Sequence, residues 1–284
     1  MASQNPSAAA PPDLMAVRRE IDAIDDQLHA LLLRRAALVT GVQAAKADRT
    51  GLFLRPGREV QIIRRLAASH GGSLPLAALS AIWRELIGGL YHLQGGIRVA
   101  VHTAPDPVAL WDIARGHFGV AATLTRHEDW QAVLASISGQ AGAVGLLAAG
   151  DGGANPWWVH LVSEAPGTPR VIARLPLVDA GTGPAAFLVA PVLPEPSGDD
   201  NSLLVVTLNT ERMSRQRVLE LLVAAEFQPH LLATADSALL VEVAGFVAAA
   251  DPRLAAFAAT AVEAGATALP IGAFAVPLST AQPE

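Results

Sequence analysis

The sequence predicts a multidomain chain in three parts: an N-terminal all-α segment of three helices, a single α/β lobe, and a βαββαβ module of ferredoxin-like order. Three observations carry this expectation. Apolar residues recur at helical spacing from Leu14 to Lys46 without a proline. At Ile97 the pattern changes to short apolar strands alternating with helices. A stretch rich in proline and glycine, Pro191–Asp200, then precedes a second such alternation. The expected division is a disordered tail over 1–13, the helical domain over 14–96, the lobe over 97–191, a linker over 192–200 and the module over 201–284.

The first helix carries Leu14, Val17, Ile21, Ile24, Leu28 and Leu31 on one stripe, with Asp13 as its N-cap. At 1.5 Å per residue it spans about 50 Å, too long for a compact domain of this size, and so predicts a partner chain. A loop over 48–56 follows, then a helix over 57–69, the turn Gly71-Gly72 and a helix over 75–94, opened by Ser73 and Pro75. The lobe reads as strand 97–102, helix 107–117, strand 121–125, helix 129–138 and strand 143–148, with further strands at 170–175 and 185–190. The last part reads as strand 203–208, helix 214–226, strands 231–234 and 238–246, helix 252–264 and strand 268–276.

Composition narrows the function. Hydrophobic residues make up 51% of the 284 and charged ones 16%, enough for a sizeable core. No cysteine is present, which excludes disulfides, thiolate metal sites and a cysteine nucleophile. Met1–Asp13 has neither a basic start nor an apolar run, and every apolar stretch is interrupted before membrane-spanning length, so a soluble cytoplasmic protein is expected. The net charge of −6 is uneven. Residues 1–100 hold 12 Lys+Arg against 8 Asp+Glu, a net of +4, while the rest is strongly acidic. With a pI near 5.7 and scattered arginines, this favours a small multiply charged anion over nucleic acid.

The charges of the first helix sharpen that expectation. Arg35 and Lys46, 11 residues apart, return to nearly the same face about 16 Å apart, so their long side chains can converge on one small anion. Arg18 precedes Arg35 by 17 residues, about 25 Å, and is turned by about 100°. If Arg18 serves such a site it serves the partner's, in keeping with the overlong helix. Lys46 is the one lysine among 19 arginines, and a compact ammonium is not interchangeable with a guanidinium at a tight site.

Val17–Lys46 (VRREIDAIDDQLHALLLRRAALVTGVQAAK), Leu54–Glu59 (LRPGRE) and Ile82–Gln94 (IWRELIGGLYHLQ) resemble the all-helical class of chorismate mutase. The resemblance covers residues 14–96 and implies an intertwined homodimer whose long first helix bridges both sites. It implies the Claisen rearrangement of chorismate to prephenate, with no metal or cofactor, by holding the dicarboxylate folded and stabilising charge on the ether oxygen. By resemblance Arg18 of one chain and Arg35 of the other bind the carboxylates, and Lys46 and Gln94 donate to the ether oxygen. Glu59 accepts from the ring hydroxyl with Arg58 beside it. Leu90 stands where the family often has a substrate-binding serine, and Arg55 where some members carry an acid.

A helical mutase followed by an α/β region and a βαββαβ module resembles the bifunctional chorismate mutase–prephenate dehydratase, and the closing module resembles its regulatory ACT domain. The middle is short for the dehydratase's two lobes, and its Thr-Arg-Phe motif falls at Ala185-Ala186-Phe187, so no dehydratase activity is expected. The family's phenylalanine-binding segments align with Arg212-Met213-Ser214 and Ala233–Ser237, which depart from them. Trp157-Trp158 is expected as buried packing, Gly150–Gly153 is too short to read as a phosphate loop, and His117, His127 and His160 have no metal-like spacing. Two other functions compete with the mutase. One is a related pericyclic enzyme such as an isochorismate pyruvate lyase; the other is a non-catalytic regulatory protein that senses a small molecule.

Overall fold

The computed structural model describes residues 13–44, 53–104, 106–140, 142–150, 155–179, 181, 183–261 and 265–279. The chain divides into two compact units, one holding the first helix and the other everything from the second helix onward. Residues 1–12 of the expected tail, Lys46, and residues 151–153 of the glycine-rich loop lie outside the described residues.

Helix α1 (Leu14–Ala44) is a single 31-residue helix. Asp13 caps it: its Oδ1 accepts from the Met15 amide at 3.0 Å, satisfying one of the first-turn donors. Its apolar stripe is open to solvent in the single chain, with Ile21, Ile24, Leu28 and Leu31 each about half exposed.

The second unit begins with α2 (Pro56–Ser69), which starts with a proline at its first turn, and α3 (Leu76–Leu93). An α/β region follows, built from β1 (Arg98–His102), α4 (Ala109–Phe118), β2 (Thr123–His127), α5 (Trp130–Ile137) and β3 (Ala143–Ala148). Then come β4 (Arg170–Leu175), β5 (Val178–Asp179) and β6 (Ala186–Ala190). The final stretch is β7 (Asp200–Thr207), α6 (Arg215–Ala224), β8 (Pro229–Ala235), β9 (Ala238–Ala244), α7 (Pro252–Ala261), β10 (Thr267–Ala275) and β11 (Leu278–Ser279). Side-chain caps set two of these helix starts: Asp129 accepts from Ala132 at 2.6 Å and Ser214 from Arg217 at 3.2 Å.

Among the described residues, nine strands form one mixed sheet in the order β2-β1-β3-β6-β4-β10-β7-β9-β8. The β2-β1-β3 end is parallel and its strands are joined through α4 and α5. The β10-β7-β9-β8 end is antiparallel, with α6 and α7 sharing one apolar cluster on one of its faces. This is the order and direction of a ferredoxin-like βαββαβ unit.

The lobe and the module, expected as successive parts, join in one sheet across 191–199. The seam is the parallel pairing of β10 with β4 at Gly272 and Val171. Gly272 has φ of +157°, and a Cβ on it would overlap the Val171 backbone, so only glycine lets the two strands approach. Trp157 and Trp158 are buried as expected, in a 3₁₀ turn over Trp157–Leu161, against the sheet face that also carries Phe187 and Phe274.

Helices α2 and α3 share a core with this sheet. Leu54, Val60, Ile87 and Tyr91 cluster with Val99, Val101 and Phe118. Gly88 accounts for the closeness of α3 to α4, because a Cβ there would overlap the Phe118 carbonyl; beside Gly89 there is open space.

Candidate active site

Three elements meet at Glu59. It sits in the first turn of α2, flanked by the buried Gly57 and Val60, and is itself only 4% exposed. A carboxylate so placed requires a cation, since an unpaired buried charge is strongly unfavourable. Arg84 of α3 supplies it: its Nη1 donates to Glu59 Oε2. The guanidinium is fixed from its other side as well, with Nε and Nη2 donating to the His117 carbonyl at 2.8 and 2.7 Å. That carbonyl belongs to the last turn of α4, where orphan acceptors favour a cation.

The His117 ring is buried beside the pair, its Nε2 3.9 Å from Glu59 Oε2. Burial, and then the Arg84 charge, hold its pKa well below the ordinary imidazole value, so the ring is neutral. Glu59 Oε1 and His117 Nε2 make no hydrogen bond within the described structure. One carboxylate oxygen is therefore clamped, and the other remains a buried acceptor.

The same joint extends along α3 and α2. Glu85 accepts from the Val120 amide at 3.2 Å, just past α4. On α2, Arg64 donates to Ser197 Oγ at 3.0 Å and to the carbonyls of Asp199 and Val276 at 2.7 and 2.9 Å. Arg55 makes a bidentate pair with Glu195 at 2.9–3.0 Å.

The other sequence-predicted residues lie on several elements. Arg18 and Arg35 lie on α1, in the other unit, with Arg18 exposed. Lys46 lies outside the described residues. Arg58 is exposed and reaches Gln61 Oε1 at 3.4 Å. Gln94 is half-buried and ends α3, its amide donating to the Tyr91 carbonyl at 3.0 Å. Leu90 is buried in α3. Ala186 and Phe187 are buried in β6, while Ala185 precedes that strand.

Sequence reasoning missed Arg84 and left His117 without a role. A signal for Arg84 was present: Ser80, Arg84, Ile87 and Tyr91 share one helical face, and all are buried. A charged residue within an apolar stripe requires a buried partner.

Residues 17–95 match the family described as chorismate mutase type II. This segment is a chorismate mutase type II domain. The bifunctional chorismate mutase/prephenate dehydratase of Aquifex aeolicus is 31% identical over 117 residues, covering 40% of this chain and 32% of the relative. That of Pseudomonas aeruginosa is 27% identical over 117 residues, covering 39% of this chain and 32% of the relative. The chain thus spans about a third of the length of the curated relatives it matches. A prephenate dehydratase structure from Streptococcus mutans aligns over 64% of this chain and 99% of its own, at 12% identity and a TM-score of 0.44. A likeness at that level carries no argument about activity. Arg18, Arg35, Lys46, Arg58, Glu59 and Gln94 all fall inside the mutase domain. Among the described residues no cluster of three metal-ligating side chains occurs, and no helix is long and apolar enough to cross a membrane.

Proposed function

We propose that this protein is a cytoplasmic chorismate mutase that converts chorismate to prephenate as a homodimer with sites shared between chains. The observation that carries this reading is the family match over 17–95, which contains every member of the charged set. Arg18 of one protomer and Arg35 of its partner hold the two carboxylates, and Arg58 binds substrate beside Glu59, so the substrate is kept in its folded conformer. Lys46 and Gln94 donate to the ether oxygen as the C–O bond breaks and charge collects there. Glu59 accepts from the ring hydroxyl. The half-exposed apolar stripe of α1 supports the dimer, because a second copy would cover it.

The test is chorismate consumption by the purified full chain, with prephenate identified as product. Turnover that collapses in Lys46→Ala supports the assignment; no turnover by a folded dimer refutes it. Isochorismate run in parallel distinguishes the lyase alternative.

The functional divisions proposed are the mutase over 14–96, an α/β lobe without dehydratase activity over 97–191 and an ACT-like module over 201–284. Two alanines, Ala185 and Ala186, offer neither a hydroxyl nor a guanidinium for dehydration, so prephenate should accumulate unchanged. Support for the ACT-like module is the β10-β7-β9-β8 order with α6 and α7 on one face. Calorimetric titration with Phe, Tyr and Trp tests sensing; binding of none of them removes aromatic feedback.

A further inference from the structure

Arg84 lies outside the set assigned to the reaction, yet its geometry bears directly on a member of that set. Its guanidinium is held by two N–H bonds to one carbonyl, that of His117, at 2.8 and 2.7 Å. The anchor does not depend on Glu59: it is a backbone atom at the end of α4, docked against α3 where Gly88 meets Phe118. The third bond, from Nη1, then fixes where Glu59 Oε2 sits. A planar guanidinium held at one edge has little freedom at the other, so the carboxylate plane is set by α3 and α4 together. Glu59 Oε1 is left buried and unpartnered within the described structure. A buried acceptor without a donor is costly, and a hydroxyl delivered to that oxygen would satisfy it.

We propose that Arg84 is a positioning residue for the mutase reaction. It clamps Glu59 Oε2 against the His117 carbonyl so that Oε1 is presented in one fixed orientation to the substrate hydroxyl. This rests on the reading of the protein as a mutase. It goes beyond that reading in making the end of α4, a part of the α/β region, the mechanical reference for the acceptor. The competing view is that Glu59 and Arg84 form a buried ion pair serving only to join α2, α3 and α4.

A double-mutant cycle on the full chain separates the two. Initial rates of chorismate consumption give kcat and KM for the unaltered protein, Arg84→Ala, Glu59→Gln and the double variant. Circular dichroism and Tm are recorded for each. A positioning residue predicts that Arg84→Ala lowers kcat by about a hundredfold, the scale expected of a misplaced catalytic group, with a smaller change in KM. It also predicts that the double variant is no slower than Glu59→Gln alone, because Arg84 acts through that carboxylate. Losses that multiply, or a kcat within twofold of the unaltered protein, overturn the proposal. If Arg84→Ala does not fold, Arg84→Lys takes its place in the cycle, since it keeps the charge but cannot span both acceptors; the same two outcomes decide. Absence of turnover in the unaltered, folded protein refutes the mutase reading itself, and the proposal falls with it. Turnover with multiplying losses refutes the positioning role alone.

Discussion

Helices α1 and α2–α3 belong to one family segment, yet they satisfy their side chains by different means. Helix α1 keeps Ile21, Ile24, Leu28 and Leu31 about half exposed in the single chain. Helices α2 and α3 bury Val60, Ile87 and Tyr91 in a cluster with β1 and α4, and together with Arg55, just before α2, their Arg64 and Arg84 bond to the rest of the chain beyond α3. Arg55 goes to Glu195, Arg64 to Ser197, Asp199 and Val276, and Arg84 to the His117 carbonyl. The difference teaches that the family segment is not self-contained in this chain. Two of its helices are braced by the sheet, and the remaining one leaves its apolar stripe about half exposed in the single chain.

The comparison can be broken from its α1 side first. Leu28→Asp puts a charge in the middle of the stripe, and a charge buried in an interface costs several kcal/mol. If the proposed dimer with shared sites holds, sedimentation analysis should then show monomer and turnover should vanish. A dimer that survives this substitution would place the interface elsewhere. Next in size is Lys46→Ala, expected under the proposed mechanism to lower kcat by about 10²–10³, the scale for loss of one donor to the ether oxygen, as read by initial rates.

On the braced side, the two adjacent glycines of α3 should respond in opposite directions. Gly88→Ala must displace the Phe118 carbonyl and should cost about 1–3 kcal/mol. Gly89→Ala meets open space and should stabilise by up to about 1 kcal/mol; denaturant midpoints compare the two.

His117 adds a pH dependence to the same joint. Its folded pKa is depressed by burial and by Arg84, so the unfolded chain takes up the proton more readily. The stability contributed by the neutral ring is fully present above the unfolded value of about 6.5 and is lost as pH falls from there toward the lower folded value. The slope approaches about 1.4 kcal/mol per pH unit in that window, and urea titrations in His117→Asn should show it flattened. The smallest effect belongs to Arg55→Ala. That pair with Glu195 is half exposed on both sides, so its loss should cost less than about 1 kcal/mol and fade with added salt.

Much of the fold was legible because its signals are local. The end of each expected helix and strand of the α/β region lies within three residues of the observed end, since apolar periodicity and caps such as Asp129 and Ser214 act over one or two turns. The two-residue strands β5 and β11 left no period to read. The single sheet was illegible for a different reason. Its seam is one pairing between residues 101 positions apart, Val171 and Gly272, and it depends on a glycine whose importance appears only when the other strand is beside it. The candidate site divides in the same way. Arg18, Arg35 and Lys46 stand out by helical spacing and Arg58, Glu59 and Gln94 by the family resemblance, whereas Arg84 and His117 meet Glu59 across helix contacts that spacing does not encode.

The β4–β10 seam also governs how the chain can be cut. A fragment ending near residue 195 would carry β4 with its β10 side bare, and one beginning near 200 would carry β10 in the same condition. Unpaired strand edges of this kind recruit other chains. The helices of the first fragment would also lose the Ser197, Asp199 and Val276 acceptors of Arg64. Dissection at the Pro- and Gly-rich stretch, where the sequence invites it, should therefore yield two sticky halves rather than two working modules.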